Sequence, residues 1–163
     1  MSQVTRIAAV ALVSALAGGI SNAQLLTHKD LSLAMAVTMA TTAIDTCKSQ
    51  GYAVSVNVLG RNGEVILAVR GDAANPTTLE NSMKKAYTAR TFRRPSGEFA
   101  KGVKDNPTAG ALFLTNITPA QGALPIKVGN DTIGAIGVSG APGGDKDEAC
   151  AKAGLDKVKD QLS

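Results

Sequence analysis

The sequence predicts an α/β domain of the α+β kind, a mainly antiparallel sheet covered by helices. Three observations predict it. The turn-rich segments Gly60-Arg61-Asn62-Gly63 and Gly129-Asn130-Asp131 each separate two short β-type runs, and tight turns of this kind join antiparallel strands. Amphipathic helical stretches open and close the chain beyond its first 26 residues. Two further helical stretches lie between the hairpins, giving the order α-ββ-αα-βββ-α.

Residues 1–23 stand apart from that pattern. Arg6 and the terminal amine precede the uncharged run Ile7 to Leu16, which breaks at Gly18-Gly19. The run is shorter than the roughly 20 apolar residues a bilayer span needs. Ser21-Asn22-Ala23 places small residues where a signal peptidase requires them, so the segment reads as a secretory leader cleaved after Ala23. The remaining chain, about 140 residues, suits one domain with a real core.

The first helix is expected from Thr27 to Gln50. Thr27 and Asp30 resemble a capping box, and Leu33, Val37, Ala40, Ile44 and Cys47 recur at helical spacing to make an apolar face. Gly51 ends it. Val54, Val56 and Val58 then alternate with Ser55, Asn57 and Leu59 as a strand, and Glu64 to Arg70 forms its hairpin partner with Val65, Leu67 and Val69 on one face. Thr77 and Glu80 open a second helix that runs to about Phe92. Pro95 stops it, because proline disfavours helix in the preceding residue. Ser96 caps a short helix to about Lys104. Three strands are expected at Ala111 to Thr115, Leu124 to Val128 and Thr132 to Ser139. The last helix spans about Lys146 to Gln161, with Ala151, Leu155, Val158 and Leu162 as its inner stripe.

Composition excludes several functions. A net charge of +4 is mildly basic, far from the dense positive field of a nucleic-acid binder. The chain has no Trp and few Phe or Tyr, so an aromatic platform for single strands is not expected. No second apolar stretch reaches membrane length. Two cysteines, Cys47 and Cys150, in an exported chain suggest one disulfide. The alternative is two small buried residues that never meet.

Several segments together resemble a known family. They are Val54 to Arg70 with Gly71-Asp72-Ala73, Lys85-Ala86-Tyr87-Thr88-Ala89, Arg94-Pro95-Ser96, Gly122-Ala123-Leu124-Pro125-Ile126, and Ile133 to Gly140 with Asp147 and Ala153-Gly154 beyond. In this order the chain is similar to the GlcG/HbpS family of haem-binding proteins, which also includes the C-terminal domain of the PduO cobalamin adenosyltransferases. The strand ending Gly137-Val138-Ser139-Gly140 is the most specific piece. The resemblance implies a profilin-like five-stranded antiparallel sheet, with the first and last helices packed side by side, where Cys47 and Cys150 could meet. It implies a homo-oligomer and a haem or small-molecule ligand. One departure is visible: Gly60 stands where many members carry an aspartate.

His28, the only histidine, is the first candidate iron ligand. A neutral imidazole binds iron without burying extra charge. Its plainer reading is an exposed residue of the first helical turn. Tyr87, then Met35 or Met39, are the next candidates, although a Met pair spaced by four is more often core filler. Lys84, Lys85, Arg90, Arg93 and Arg94 form the densest basic run. Arginine can grip a haem propionate with two parallel hydrogen bonds, whereas the ordinary reading is a solvated helix face.

Other features say less. Gly140 to Asp145 precedes a helix, where backbone amides can bind an anion, but it lacks a P-loop ending. Arg70-Gly71-Asp72 and Asn116-Ile117-Thr118 match cheap patterns only. No catalytic constellation is readable: one histidine near the chain start argues against a triad, and the cysteines are not spaced as a zinc or redox pair. The carboxylates Glu64, Glu80, Glu98, Asp145, Asp147 and Glu148 sit at turns and helix starts, where capping is their first use. The expectation is an exported haem-binding carrier, scavenger or accessory to sensing. The alternative is an enzyme acting on a small organic acid or ring compound in a pocket at a subunit interface.

Overall fold

The computed structural model describes residues 24–107 and 109–163. The leader expected over residues 1–23 lies outside the described residues. Four helices and four strands follow in order: α1 (Leu33–Ser49), β1 (Ser55–Leu59), β2 (Val65–Arg70), α2 (Thr78–Phe92), α3 (Ser96–Asp105), β3 (Ala123–Val128), β4 (Asp131–Ser139) and α4 (Gly144–Lys157). The sheet order is β2-β1-β4-β3, and every neighbouring pair is antiparallel. The α/β architecture is the expected one, with four strands among the described residues. The segment expected as a strand at Ala111 to Thr115 instead winds into a 3-10 turn, Gly110–Phe113. Its exposed Phe113 and Leu114 meet no sheet neighbour.

Helices cover both faces of the sheet. Helices α1 and α4 enclose the larger core, built from Met39, Val56, Val58, Ile126, Ile136 and Val138 among others. On the other face, α2 packs Ala86 and Ala89 against Leu59, Ala123 and Ala135. Both alternating sets of β1 are therefore buried. The polar set is satisfied by α2: Ser55 shares a hydrogen bond with Thr78, and Asn57 donates to Leu79 O and Ser82 Oγ at 2.9 and 2.8 Å.

The start of α1 differs from expectation. The helix begins at Leu33, capped by Ser32, whose Oγ accepts from Met35 N at 3.2 Å. Thr27 is no cap, because Asp30 is held by Arg61 and the segment before Ser32 is not helical. The buried face is Ala36, Met39, Ala40, Ala43 and Cys47. Leu33 and Val37, expected inside, are 60% and 41% exposed. Apart from Met39 the inner face is built of small residues, and α4 lies close to it. At Gly154 any Cβ would fall 2.4 Å from Met39 O, so only glycine permits this approach. One turn before it Cys150 bonds Cys47, with Cα atoms 5.7 Å apart.

The other starts also use different groups. Thr77 makes no side-chain cap, and Glu80 pairs with Lys84 instead, which lowers the Glu80 carboxyl pKa. Ser96 is buried and accepts from Ala123 N at 3.0 Å, tying α3 to β3. Among the described residues no helix is long and apolar enough to cross a membrane.

Candidate functional site

The β1–β2 turn organises the site. Gly63 takes a positive φ of 83°, and a Cβ there would lie 2.7 Å from the Tyr87 ring. A glycine is therefore needed both for the turn and for the phenol packed on it. Tyr87 and Arg90 are three residues apart on α2, hence on one face. With Arg61, Asn62, Gly63 and Thr91 they line a recess of about 260 Å³.

Arg61 fixes one wall. It bridges Asp131 at 2.8 Å and Asp30 at 3.2 Å and also donates to Lys29 O. Asp131 and then Asp30 hold its guanidinium pKa above the ordinary value against the opposing effect of burial. Asp30 in turn lies 3.5 Å from His28 Nε2, an ion-pair distance when the ring is protonated. The His28 side chain is 44% exposed, so it stands open to a ligand. It belongs to the irregular segment before α1 rather than to a first helical turn.

Arg90 is the electrostatic anomaly of the recess. Its Nε is buried and has no hydrogen-bond partner among the described residues. Burial first, then repulsion from Arg93 and Arg61, pull its pKa below the ordinary guanidinium value. A buried donor with no acceptor among the described residues is costly, and the same side chain lines the recess and brings its positive charge to it.

The structure thus brings Tyr87 and Arg90 together and links His28 to them through Asp30 and Arg61. It places the other candidate residues elsewhere. Lys84 pairs with Glu80. Lys85 is buried, its ammonium 2.7 Å from Asp147 and 3.2 Å from Val138 O. Arg94 lies 5.7 Å over the Phe99 ring, which stacks on Phe92. Met39 is fully buried in the core and Met35 packs against it. Asp147 does more than cap a helix start. It anchors Lys85 and accepts Ala141 N–H at 2.9 Å. An amide of the Gly140 to Asp145 loop is therefore given to the chain's own carboxylate. Sequence reasoning missed Arg61, Asp30 and Asp131 as one network, because they are distant in sequence and meet only at the end of the sheet.

Fold and site define a small antiparallel α/β sandwich with an anion-receptive recess at one hairpin turn, beside an N-terminal histidine. Comparison with known proteins agrees with that fold. Residues 31–156 match the family model described as haem degrading protein HbpS-like, and the chain belongs to the HbpS-like family. It is similar to the crystal structure of HbpS, with 34% identity, a TM-score of 0.78 and coverage of 82% of this chain and 93% of that one. A double mutant of Streptomyces reticuli HbpS gives 33% identity and a TM-score of 0.77 over 91% and 97% of the two chains. Protein GlcG of Escherichia coli is 31% identical over 67% of this chain and 81% of its own. A PduOC–haem complex, at 19% identity and a TM-score of 0.71 over 78% and 94% of the chains, shares the fold.

Proposed function

We propose that the mature chain is an exported haem-binding protein that acts as a carrier, scavenger or accessory to sensing, and that it works as a homo-oligomer. The observation that carries the reading is Arg90. Its buried Nε has no acceptor in a recess shared with Tyr87 and Arg61. Haem presents carboxylates, the acceptors that a guanidinium grips best. The recess is too small for a macrocycle and suits a propionate-bearing edge. Arg90 and Tyr87 would hold that edge. His28, exposed and oriented by Asp30, would supply nitrogen to the iron, since a carboxylate partner fixes a ligating imidazole. Membership of a family described as haem degrading supports the same ligand. What haem supplies when bound is an iron centre whose behaviour the axial ligand and its surroundings tune.

The test is a haemin titration of the mature protein followed by absorption. A Soret band that shifts in His28→Ala supports His28 as ligand. An unchanged spectrum and affinity in that variant removes His28 from the role, and Tyr87→Phe is then the next comparison. No saturable Soret change with the unmodified protein defeats the haem reading itself.

A further inference from the structure

Strand β4 runs from Asp131, the partner of Arg61, to Ser139 at its other end, roughly 25 Å away along an extended strand. There a second recess, of about 480 Å³, opens between α2 and the loop into α4. Its polar lining comes from three elements. Asn81 and Lys85 stand four apart on α2, hence on one face. Ser139 ends β4, and Asp147 lies in the first turn of α4. Ala120, Ala141 and Pro142 add apolar surface beside them. Stability alone gives a buried ion pair such as Lys85–Asp147 no advantage over apolar residues of similar volume.

Hydrogen bonding here is uneven. Both oxygens of Asp147 are engaged, one by the Lys85 ammonium at 2.7 Å and the other by the Ala141 amide at 2.9 Å. Lys85 is not fully used. An ammonium has three N–H groups, and its acceptors among the described residues are two, Asp147 and Val138 O. Ser139 Oγ accepts from Asn81 Nδ2 at 3.0 Å, and its own hydroxyl proton has no acceptor among the described residues. The Lys85 side chain is 4% exposed and Ser139 5%, so the open side left to either is the recess they line.

Two unspent donors, one of them cationic, suit an acceptor that carries negative charge. The charge balance limits how much. Asp147 already offsets Lys85, Asp145 lines the same recess, and Lys85 is the only cation in its lining. A second negative charge on a ligand would therefore meet carboxylates and no further cation. We infer that this recess binds a short aliphatic monocarboxylate. Its carboxylate accepts from Lys85 Nζ and Ser139 Oγ, and its alkyl chain lies against Ala120, Ala141 and Pro142. The site is separate from the Arg90 recess and independent of the haem reading.

The test is a titration of the mature protein with butyrate, followed by amide resonances, beside butyramide, which has the same size and no charge. Two variants accompany it. Asn81→Asp puts a carboxylate against Ser139 and one helical turn from Lys85, so the chain occupies the site itself. Ser139→Ala removes one donor. Saturable shifts are expected at Ser139 to Asp147 with butyrate. Affinity should be roughly tenfold or more weaker for butyramide and for butyrate with either variant, the loss that follows from one hydrogen bond to a charged group. Sheet resonances away from Ser139 report whether each variant is folded, and if one is not, the other decides. No saturable shift at these residues, or equal affinity for butyrate and butyramide, overturns the site. So does unchanged butyrate binding by a folded variant. Shifts confined to Tyr87 and Arg90 overturn it as well, while leaving the haem-edge recess standing.

Discussion

Lys85 Nζ sits 2.7 Å from Asp147 Oδ2 and joins α2 to α4 through side chains that are each 4% exposed. Burial holds the Asp147 carboxyl above its ordinary pKa, while Lys85 and the amides of Ala141 and Gly140 pull the other way. A folded pKa above the unfolded value of about 3.9 means that stability is full below that value and declines as pH rises through the folded one. Lys85→Met removes the main opposing group, so the upward shift grows. The variant should lose about 3–5 kcal/mol at neutral pH, the usual cost of stranding one buried charge. The deficit should narrow as pH falls toward and below about 4, as the carboxyl becomes neutral in both states. Urea unfolding of both proteins across that range is the check, and a deficit independent of pH would contradict the argument.

The Cys47–Cys150 bond joins residues 103 apart in sequence and closes most of the domain into one loop. The chain-entropy model gives an upper value of about 4–5 kcal/mol for such a loop, a large share of the ~5–15 kcal/mol of a typical domain. Both cysteines are fully buried, so reductant should act only once the chain opens. Cys47→Ala with Cys150→Ala should melt well below the unmodified protein yet bind haemin equally. Thiol titration of the denatured, unreduced protein should find none free; two free thiols per chain would refute the bond.

Much of this fold was legible because period and turn chemistry agree. The Asn62-Gly63 turn and the Gly129 to Asp131 turn each marked a hairpin that the sheet contains. What misled was α1. Leu33 and Val37 have the spacing of a core stripe, yet Ala36, Met39, Ala40 and Ala43 face inward, because the tertiary packing of α4 and the sheet, and not apolar spacing alone, decides which face is covered. The site was half legible. Tyr87 and Arg90 belong to a recognisable segment, but Arg61 and Asp131 stand 70 residues apart, and nothing local announces that they meet. Lys85 looked like one more surface cation in a basic run, and only the tertiary packing of Asp147 against it reveals a buried one.

Export makes a simple prediction. If the first 23 residues act as a leader, the protein recovered from the envelope or culture fluid begins at Gln24. Intact-mass measurement decides it. A full-length mass in that fraction would remove the leader reading and leave the domain argument untouched.

Arg90 should show opposite effects on binding and stability. In the ligand-free protein its Nε is buried without an acceptor, and Arg61 and Arg93 add repulsion to the effect of burial. Asp131 and Glu64 act the other way but do not outweigh these effects. Arg90→Met keeps most of the aliphatic packing and removes the charge. The ligand-free variant should therefore melt no lower than the unmodified protein. Its affinity for haemin should fall, because a hydrogen bond to a charged group contributes about 1.5–3 kcal/mol, or roughly tenfold to a hundredfold in Kd. If the propionate contact is the cause, a haemin with both carboxylates esterified should bind the two proteins alike. Calorimetric melting of the ligand-free forms, with parallel titrations of haemin and its dimethyl ester, separates the two effects. A variant that loses stability and keeps its affinity would make Arg90 a structural residue and remove the recess from the ligand site.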